Sequence, residues 1–490
     1  MQPLGLFINN EFVKSSTGET ITTMNPSTEK DICRVQAASA QDVDTAVKAA
    51  RRAFHDPSWK KLSGTERGAL LYRLADLVGE HARVLASIEA LDAGKPFKVA
   101  LAESLPEFQN VLRYYAGYAD KNCGQVVDLS PSKMAYTVKE PLGVCGQIIP
   151  WNYPLDMAAW KLGPALCCGN TVVLKLAEQT PLSMLFVARL ICEAGFPPGV
   201  VNVLNGRGCE AGAALVQHED VDKIAFTGST ETGRKVMQLA AGTLKNITLE
   251  TGGKSPLLIF KDADLKLAAK WAHKGIMSNQ GQMCTATSRI LVHEAVYSNF
   301  MQLFKRAVNT LSVVGDPFGP KTFQGPQVTR AQYERVLEYI KIGREEGATL
   351  VLGGEPLGGP LSAHPASSKG FFVAPTVFTD VKPTMRIYRE EIFGPCVVVA
   401  TFQSEDEAVA MANDTTYGLG AAVFTRNLTQ AHRVAREIEA GMVWINSSND
   451  SDYRVPFGGV KQSGIGRELG EAGLAAYSNI KSVYVNLEAP

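Results

Sequence analysis

Metal-ligand spacing is absent from this 490-residue chain: its seven histidines form no His-Glu-x-x-His cluster, and its nine cysteines are scattered. No metal centre is expected, and an odd, dispersed set of thiols suits a reducing compartment. Eight of the nine cysteines read as small buried hydrophobes, most plainly the adjacent Cys167 and Cys168. Excess charge is missing too, with Lys plus Arg at 49 and Asp plus Glu at 49. Without a net field, neither nucleic acid nor an anionic membrane surface is an expected partner. No run of 18 or more apolar residues is present to span a bilayer. The N-terminal Met1–Phe7 lacks the pattern of a signal or transit peptide, and Leu487–Pro490 carries no retention or peroxisomal signal. A cytoplasmic location is the expectation.

What remains is an ordinary globular composition, 45% hydrophobic and 20% charged, in a chain long enough for two or three domains. Helical and strand patterns alternate, which argues for an α/β architecture with largely parallel sheets. Val43 to Phe54 and Glu66 to Leu85 repeat apolar residues at helical spacing. Gly143–Pro150, Thr171–Lys175 and Val200–Leu204 read as buried strands separated by helix-like runs, the rhythm of a dinucleotide fold. A second alternating block begins after Gly253, with a strand at Pro256–Phe260 and a helix from Asp264 to Ile276. Gly353 to Gly370, rich in Gly, Pro and Ser, reads as a surface excursion within this block. Residues 122–141 and Ser478 to Leu487 alternate as β strands with no helix to cover them, and exposed edges invite pairing.

Two short motifs carry the chemistry. Cys284 stands in Asn279-Gln280-Gly281-Gln282-Met283-Cys284-Thr285, among glutamines and small polar residues where a packing role for a thiol is hard to find. Upstream, Glu250 opens Glu250-Thr251-Gly252-Gly253-Lys254, and a carboxylate on a Gly-Gly turn suits a proton acceptor with room to swing. Together they read as a nucleophile and its base. Gly228-Ser229-Thr230-Glu231-Thr232-Gly233 directly follows the strand-like Lys223–Phe226, so backbone amides and the Ser229 hydroxyl at a helix start would make a pyrophosphate site. Gly206-Arg207-Gly208-Cys209-Glu210-Ala211-Gly212 has its third glycine one position late for a Rossmann fingerprint and is a weak signal alone.

These motifs, with Phe7–Phe12, Pro150-Trp151-Asn152-Tyr153-Pro154, Glu390–Pro395, Pro456–Gly459 and Ser463–Glu468, resemble the aldehyde dehydrogenase superfamily in its hydrolytic, NAD-dependent branch, similar to retinal and betaine aldehyde dehydrogenases. The resemblance covers nearly the whole chain. It implies a Rossmann-like NAD-binding domain (1–121 and 142–252), an α/β catalytic domain (253–462) and a small β oligomerisation extension (122–141 and 475–490). A homodimer or homotetramer follows from that extension.

By the same resemblance, Cys284 forms a thiohemiacetal and then a thioester with an aldehyde, and NAD accepts the hydride. The Asn152 amide and the Cys284 backbone N–H would hold the oxyanion; losing such a donor typically costs about 3 kcal/mol at the transition state. Glu250 would activate water for deacylation; CoA-acylating relatives lack this glutamate. Glu468 matches a second carboxylate linked to proton movement, and a helix-start salt bridge explains it equally well. Trp151 belongs to the cofactor set. Lys175 and Glu178 would clamp the adenosine ribose, Glu178 repelling a 2′-phosphate and so favouring NAD over NADP. Glu391 and Phe393 would hold the nicotinamide ribose.

The residues expected along the substrate channel are unusually polar. A spacing of four puts Asn152, Asp156 and Trp160 on one helical face, so Asp156 is expected to point along the channel wall. Glu107, one turn from Glu103, borders the same tunnel by resemblance. Ser278 stands where the family commonly has an aromatic, and Asn449 and Asp450 open an almost wholly polar loop. With aromatic faces from Tyr153 and Trp160, acids of this kind suit a small polar or cationic aldehyde; the alternative is a set of solvated rim residues paired with Lys274 or Arg454. Two other function classes remain open: a cysteine hydrolase, which leaves Gly228-Ser229 and Lys175–Glu178 idle, and a non-catalytic protein on the same fold, in which loss of Cys284 or Glu250 would be expected.

Overall fold

The computed structural model describes residues 4–357 and 369–488. Most of the Gly353–Gly370 stretch and both chain ends lie outside the described residues.

The first sheet has eight strands, and five of them are parallel: Asn246–Glu250, Lys223–Thr227, Val144–Ile148, Thr171–Lys175 and Val201–Leu204, side by side in that order. These strands are almost wholly buried, because helices cover both faces, so they read as continuous apolar runs rather than as alternating ones. Chain order runs outward from Val144–Ile148 in one direction, then returns to its other side with Lys223–Thr227. The sheet therefore has a topological switch point between those two strands, where a crevice opens at the carboxyl ends. Gly464–Ile465 and the N-terminal Leu6–Ile8 and Glu11–Val13 close the edges in antiparallel fashion.

A second sheet of seven strands takes in Pro256–Ile259, Arg289–His293, Thr376–Thr379, Cys396–Phe402, Gly420–Phe424 and Met442–Ile445, all parallel, with Thr349–Leu352 as an antiparallel edge. The third sheet joins Val126–Ser130, Lys133–Pro141 and Ser478–Asn486, the last two paired along their full lengths. One of its faces presents Ile480 and Tyr484 at 70% and 68% exposure, with Val127 at 43% in register with Tyr484 across Ala135. Among the described residues, no helix is long and apolar enough to cross a membrane.

One expected helix is two. The run from Glu66 to Leu85 divides into Gly64–Glu80 and Ala82–Asp92. Between them His81 leaves the helical well at φ −103° and ψ 12°, and its ring Nδ1 bonds the Leu77 carbonyl at 2.9 Å. The ring joins the His81 backbone N–H, itself 3.2 Å from the same carbonyl, in closing the first helix. The predicted helix after Asp264 is Leu265–Met277, with the Asp264 carboxylate accepting from the backbone N–H groups of Lys266 and Leu267.

Candidate active site

A cavity of about 360 Å³ opens at the switch point, lined by Trp151, Asn152, Thr227, Gly228, Glu250, Cys284 and Glu391 among others. Trp151 and Asn152 leave the end of Val144–Ile148, Gly228 and Ser229 leave the end of Lys223–Thr227, and Glu250 ends its own strand. The Gly252-Gly253 turn is required by close packing. A Cβ on Gly252 would strike the Glu391 carboxylate, and one on Gly253 would lie 2.5 Å from the Cys284 carbonyl. The bare backbone also lets the Gly253 N–H donate to Glu391 Oε1 at 3.0 Å.

The nucleophile loop is held in a strained shape. Asn279 and Gln280 adopt positive φ angles of 47° and 61°. Their cost is offset by buried hydrogen bonds: Asn279 Nδ2 donates to the carbonyls of Asn152 at 3.0 Å and Gln282 at 3.1 Å. Asn152 Nδ2 donates to the Gln282 carbonyl at 3.0 Å. An amide nitrogen carries two hydrogens, so this bond orients the group and leaves its second donor for another acceptor.

Cys284 is partly exposed to the cavity, yet its thiol is enclosed by protein. Burial pushes that thiol up to about 12, and the carboxylates of Glu391 and Glu250 add to the shift. Glu250 is 3% exposed and neither carboxylate oxygen has a partner. Burial raises it well above the ordinary carboxylate range, and the charge of Glu468 raises it further. Desolvation also lifts Glu391 to about 7. A thiol that needs a base thus shares a cavity with a carboxylate made more basic than usual.

The helix Thr230–Ala240 starts at this cavity with Ser229 as its N-cap, the hydroxyl accepting from the Thr232 N–H. Beside it Gly228 has no room for a side chain, since a Cβ would lie 2.5 Å from the Phe226 ring. The positive end of this helix, aimed at the cavity, makes an anion-binding floor. Trp151 and Phe393 meet edge to face at 5.3 Å. Lys175 and Glu178 lie outside the cavity lining, paired with each other at 3.0 Å beyond the neighbouring strand. The weak glycine pattern at 206–212 contributes instead to a short π-helical turn, Gly208–Gly212.

A family model described as "Aldehyde dehydrogenase family" matches residues 12–483. An aldehyde dehydrogenase of Emericella nidulans is 53% identical over 490 residues, 99% of this chain and 96% of the relative. The chain belongs to the aldehyde dehydrogenase family. Among solved structures, the NAD+ complex of an aldehyde dehydrogenase from Bacillus cereus superposes with a TM-score of 0.96 at 49% identity, covering 99% of this chain and 97% of that one. A betaine aldehyde dehydrogenase from Staphylococcus aureus in complex with NAD+ gives a TM-score of 0.96 at 39% identity, covering 99% and 95%.

Within this family member, the substrate side differs from the sequence expectation. Tyr153 and Trp160 line the cavity with Met157 and Phe457. Asp156 does not: it is buried with its carboxylate 3.8 Å from Lys95 Nζ, so the expectation that it lies along the channel wall is overturned. A buried lysine outcompetes the cavity for that carboxylate because an unpaired charge in the interior is costly. Glu107 stands behind Trp160, accepting from its indole N–H at 3.2 Å. Burial raises Glu107 to about 7, with Asp156 contributing. Ser278, Asn449 and Asp450 do not line the cavity. Ser278 caps the C-terminus of Leu265–Met277, Asn449 donates to the Gly275 carbonyl at 3.1 Å, and Asp450 is exposed.

Glu468 does line the cavity, and its partner was not anticipated. Lys161 Nζ, fully buried, donates both to Glu468 and to Thr227 Oγ1. The available signal was a lysine in the apolar helix Pro154–Cys167, a placement that demands a buried counter-charge. Gln332, Arg335 and Tyr417 also reach the cavity from segments with no recognisable motif.

Proposed function

We propose that the protein oxidises an aldehyde to its carboxylic acid with NAD, through a thioester on Cys284. The observation that carries this reading is the convergence of Cys284, Asn152, Glu250, Ser229 and Glu391 on one cavity. The residues present fit the cofactor: the start of helix Thr230–Ala240 with Gly228 and Ser229 suits its pyrophosphate, and Lys175 with Glu178 suits the adenosine ribose. Glu391, Phe393 and Trp151 suit the nicotinamide end. Bound there, NAD supplies the hydride acceptor.

This chain's own groups do the rest. Glu250 takes the Cys284 proton as sulfur bonds to the carbonyl carbon, and the free Asn152 N–H with the Cys284 N–H neutralises the developing oxyanion. After hydride loss the acyl group remains on sulfur. Once Glu250 has passed the thiol proton on to Glu468, it takes a second proton from water, which attacks the thioester; the carbon–sulfur bond breaks, the acid leaves and Cys284 departs as the thiolate. Glu468 and Lys161, beside Glu250, supply a route for that proton away from the base.

The substrate class favoured is a small polar or cationic aldehyde. Support comes from the aromatic walls Tyr153, Trp160 and Phe457, with the Glu107 carboxylate bonded behind Trp160. For a domain division at 253, with 122–141 and 475–490 as an oligomerisation extension, support comes from the membership of the three larger sheets. The exposed apolar face of the third sheet supports a homodimer or homotetramer. Nine free thiols suit the reducing cytosol.

The deciding experiment is Cys284→Ala, followed by NADH absorbance with an aldehyde panel. Aldehyde oxidation should vanish while NAD binding persists; retention of a tenth of the wild-type rate would overturn the assignment.

A further inference from the structure

Behind the cavity lies a buried charge cluster that the reaction scheme leaves unused. Lys95 is 1% exposed, and its Nζ donates to Ser104 Oγ at 2.9 Å. The same nitrogen lies 3.7 Å from Glu89 and 3.8 Å from Asp156. It also sits 4.1 Å from the centroid of the Tyr153 ring. Glu89 is itself fixed by the Ser183 hydroxyl. Lys95 is thus held from one side by carboxylates and presses on an aromatic face with the other.

Tyr153 connects that cluster to the reacting atoms. Its backbone follows Asn152, its ring lines the cavity, and its hydroxyl points at Met283 Sδ at 3.7 Å, one residue before Cys284. A second strut runs from the same segment. The Gly94 carbonyl accepts from Gln280 Nε2 at 3.4 Å, and the Gln280 carbonyl accepts from Gln327 Nε2 at 3.2 Å. One end of the nucleophile loop, at Gln280, is therefore tied to Gly94 beside Lys95, and the other, at Met283, meets the tyrosine whose ring Lys95 presses on.

We propose that Lys95, gripped by Asp156 and Glu89, is a positioning residue: its ammonium against the Tyr153 ring fixes Asn152 and Cys284 in the geometry of attack. The role rests on Cys284 as nucleophile and Asn152 as oxyanion donor. Asp156 is then a holder of Lys95 rather than a substrate contact. A cation on an aromatic face is strongest where water is excluded, as it is here.

The test is the single-turnover rate of NADH formation in the full-length protein. Lys95→Met combined with Asp156→Leu removes the cation with one of its two carboxylates and leaves Glu89 on the Ser183 hydroxyl. That rate should fall about tenfold, the scale of one desolvated cation–π contact, with the KM for NAD unchanged. In a Tyr153→Leu background, the Lys95→Met and Asp156→Leu pair should cost nothing further, because the ring that transmits the effect is gone. Wild-type single-turnover rates in the double variant would overturn the proposal, as would a full additional loss in the triple variant. If the double variant does not fold, Asp156→Asn serves instead: a rate loss that disappears with Tyr153→Leu supports the proposal, and an unchanged rate overturns it. Cys284→Ala, run alongside, separates the two readings: turnover surviving there removes the nucleophile itself, whereas its loss beside unaffected Lys95 variants removes only the positioning role.

Discussion

The helix Pro154–Cys167 carries two buried charges of opposite sign, and each has drawn a counter-charge from a distant segment. Asp156 meets Lys95, and Lys161 meets Glu468. Five residues apart, the two point about 140° away from each other around the helix. Their surroundings differ. Glu468 lines the cavity beside Glu250 and keeps Oε2 without a partner, so a proton arriving there has somewhere to go. Lys95 and Asp156 are enclosed behind Tyr153, with Glu89 close by and no opening to the cavity. The same pairing chemistry gives a proton route on one side and a brace on the other; access to the reacting groups decides which.

The strongest way to sharpen that contrast is Glu250→Gln, which removes the acceptor that the cavity-side pair serves. General-base loss of this kind typically costs about 10² to 10⁴ in rate. Turnover should fall by that scale and an acyl adduct should accumulate on Cys284, visible by mass spectrometry of the intact protein. A stalled variant without the adduct would place the lost step before acylation, at activation of the thiol.

The pH profile separates the pairs next. Glu250 is raised well above the carboxylate range, and it works only when ionised, so the rate should climb as pH rises through its shifted value. Glu468 raises Glu250 and Lys161 lowers it. Glu468→Gln should therefore move the rising limb to lower pH, and Lys161→Met should move it to higher pH. Asp156→Asn, on the far side of the helix, should leave the limb in place while changing its height. A limb that moves equally in all three variants would erase the distinction drawn between the two pairs.

Much of the cavity-side chemistry was legible because it is written in contiguous stretches. Glycines at 228, 252 and 253 meet the Phe226 ring, the Glu391 carboxylate and the Cys284 carbonyl in turn, and Cys284 stands in a polar loop, so the motifs that mark the cavity lining are local ones. The rear of the site was not legible. Asp156 shares its helical spacing with Asn152 and Trp160, but Asn152 precedes the helix that starts at Pro154 and so does not follow its periodicity. Lys95, the residue that captures Asp156, lies 61 positions away, and nothing local announces the pairing. Long-range charge pairs of this sort are set by tertiary packing, which no window of sequence contains. Parallel strands were easier to find than the His81 break, because burial on both faces writes an apolar run, whereas one residue leaving the helical well writes nothing distinctive.

Cofactor choice tests a pair with yet another surrounding, the buried Lys175 and the half-buried Glu178. With Glu178 disfavouring a 2′-phosphate, NAD should exceed NADP in catalytic efficiency by about tenfold or more, and Glu178→Gln should narrow the gap chiefly by improving NADP. Equal wild-type efficiencies would leave the pair with no part in discrimination.

The smallest expected effect belongs to Glu107, the acid that touches both sides of the comparison. It bonds Trp160, which lines the cavity, and it is raised to about 7 by burial and by Asp156 in the rear cluster. Below that value it is neutral; above it, it is a carboxylate behind an aromatic wall. The KM for an aldehyde bearing an ammonium group should therefore fall several-fold as pH rises through about 7, a change on the scale of a partly screened charge pair. An alkyl aldehyde of similar length should show no such change. Glu107→Gln should flatten the first response and leave the second alone. Should both aldehydes respond identically in the wild type, Glu107 serves only to orient Trp160, and the preference for a cationic tail falls with it.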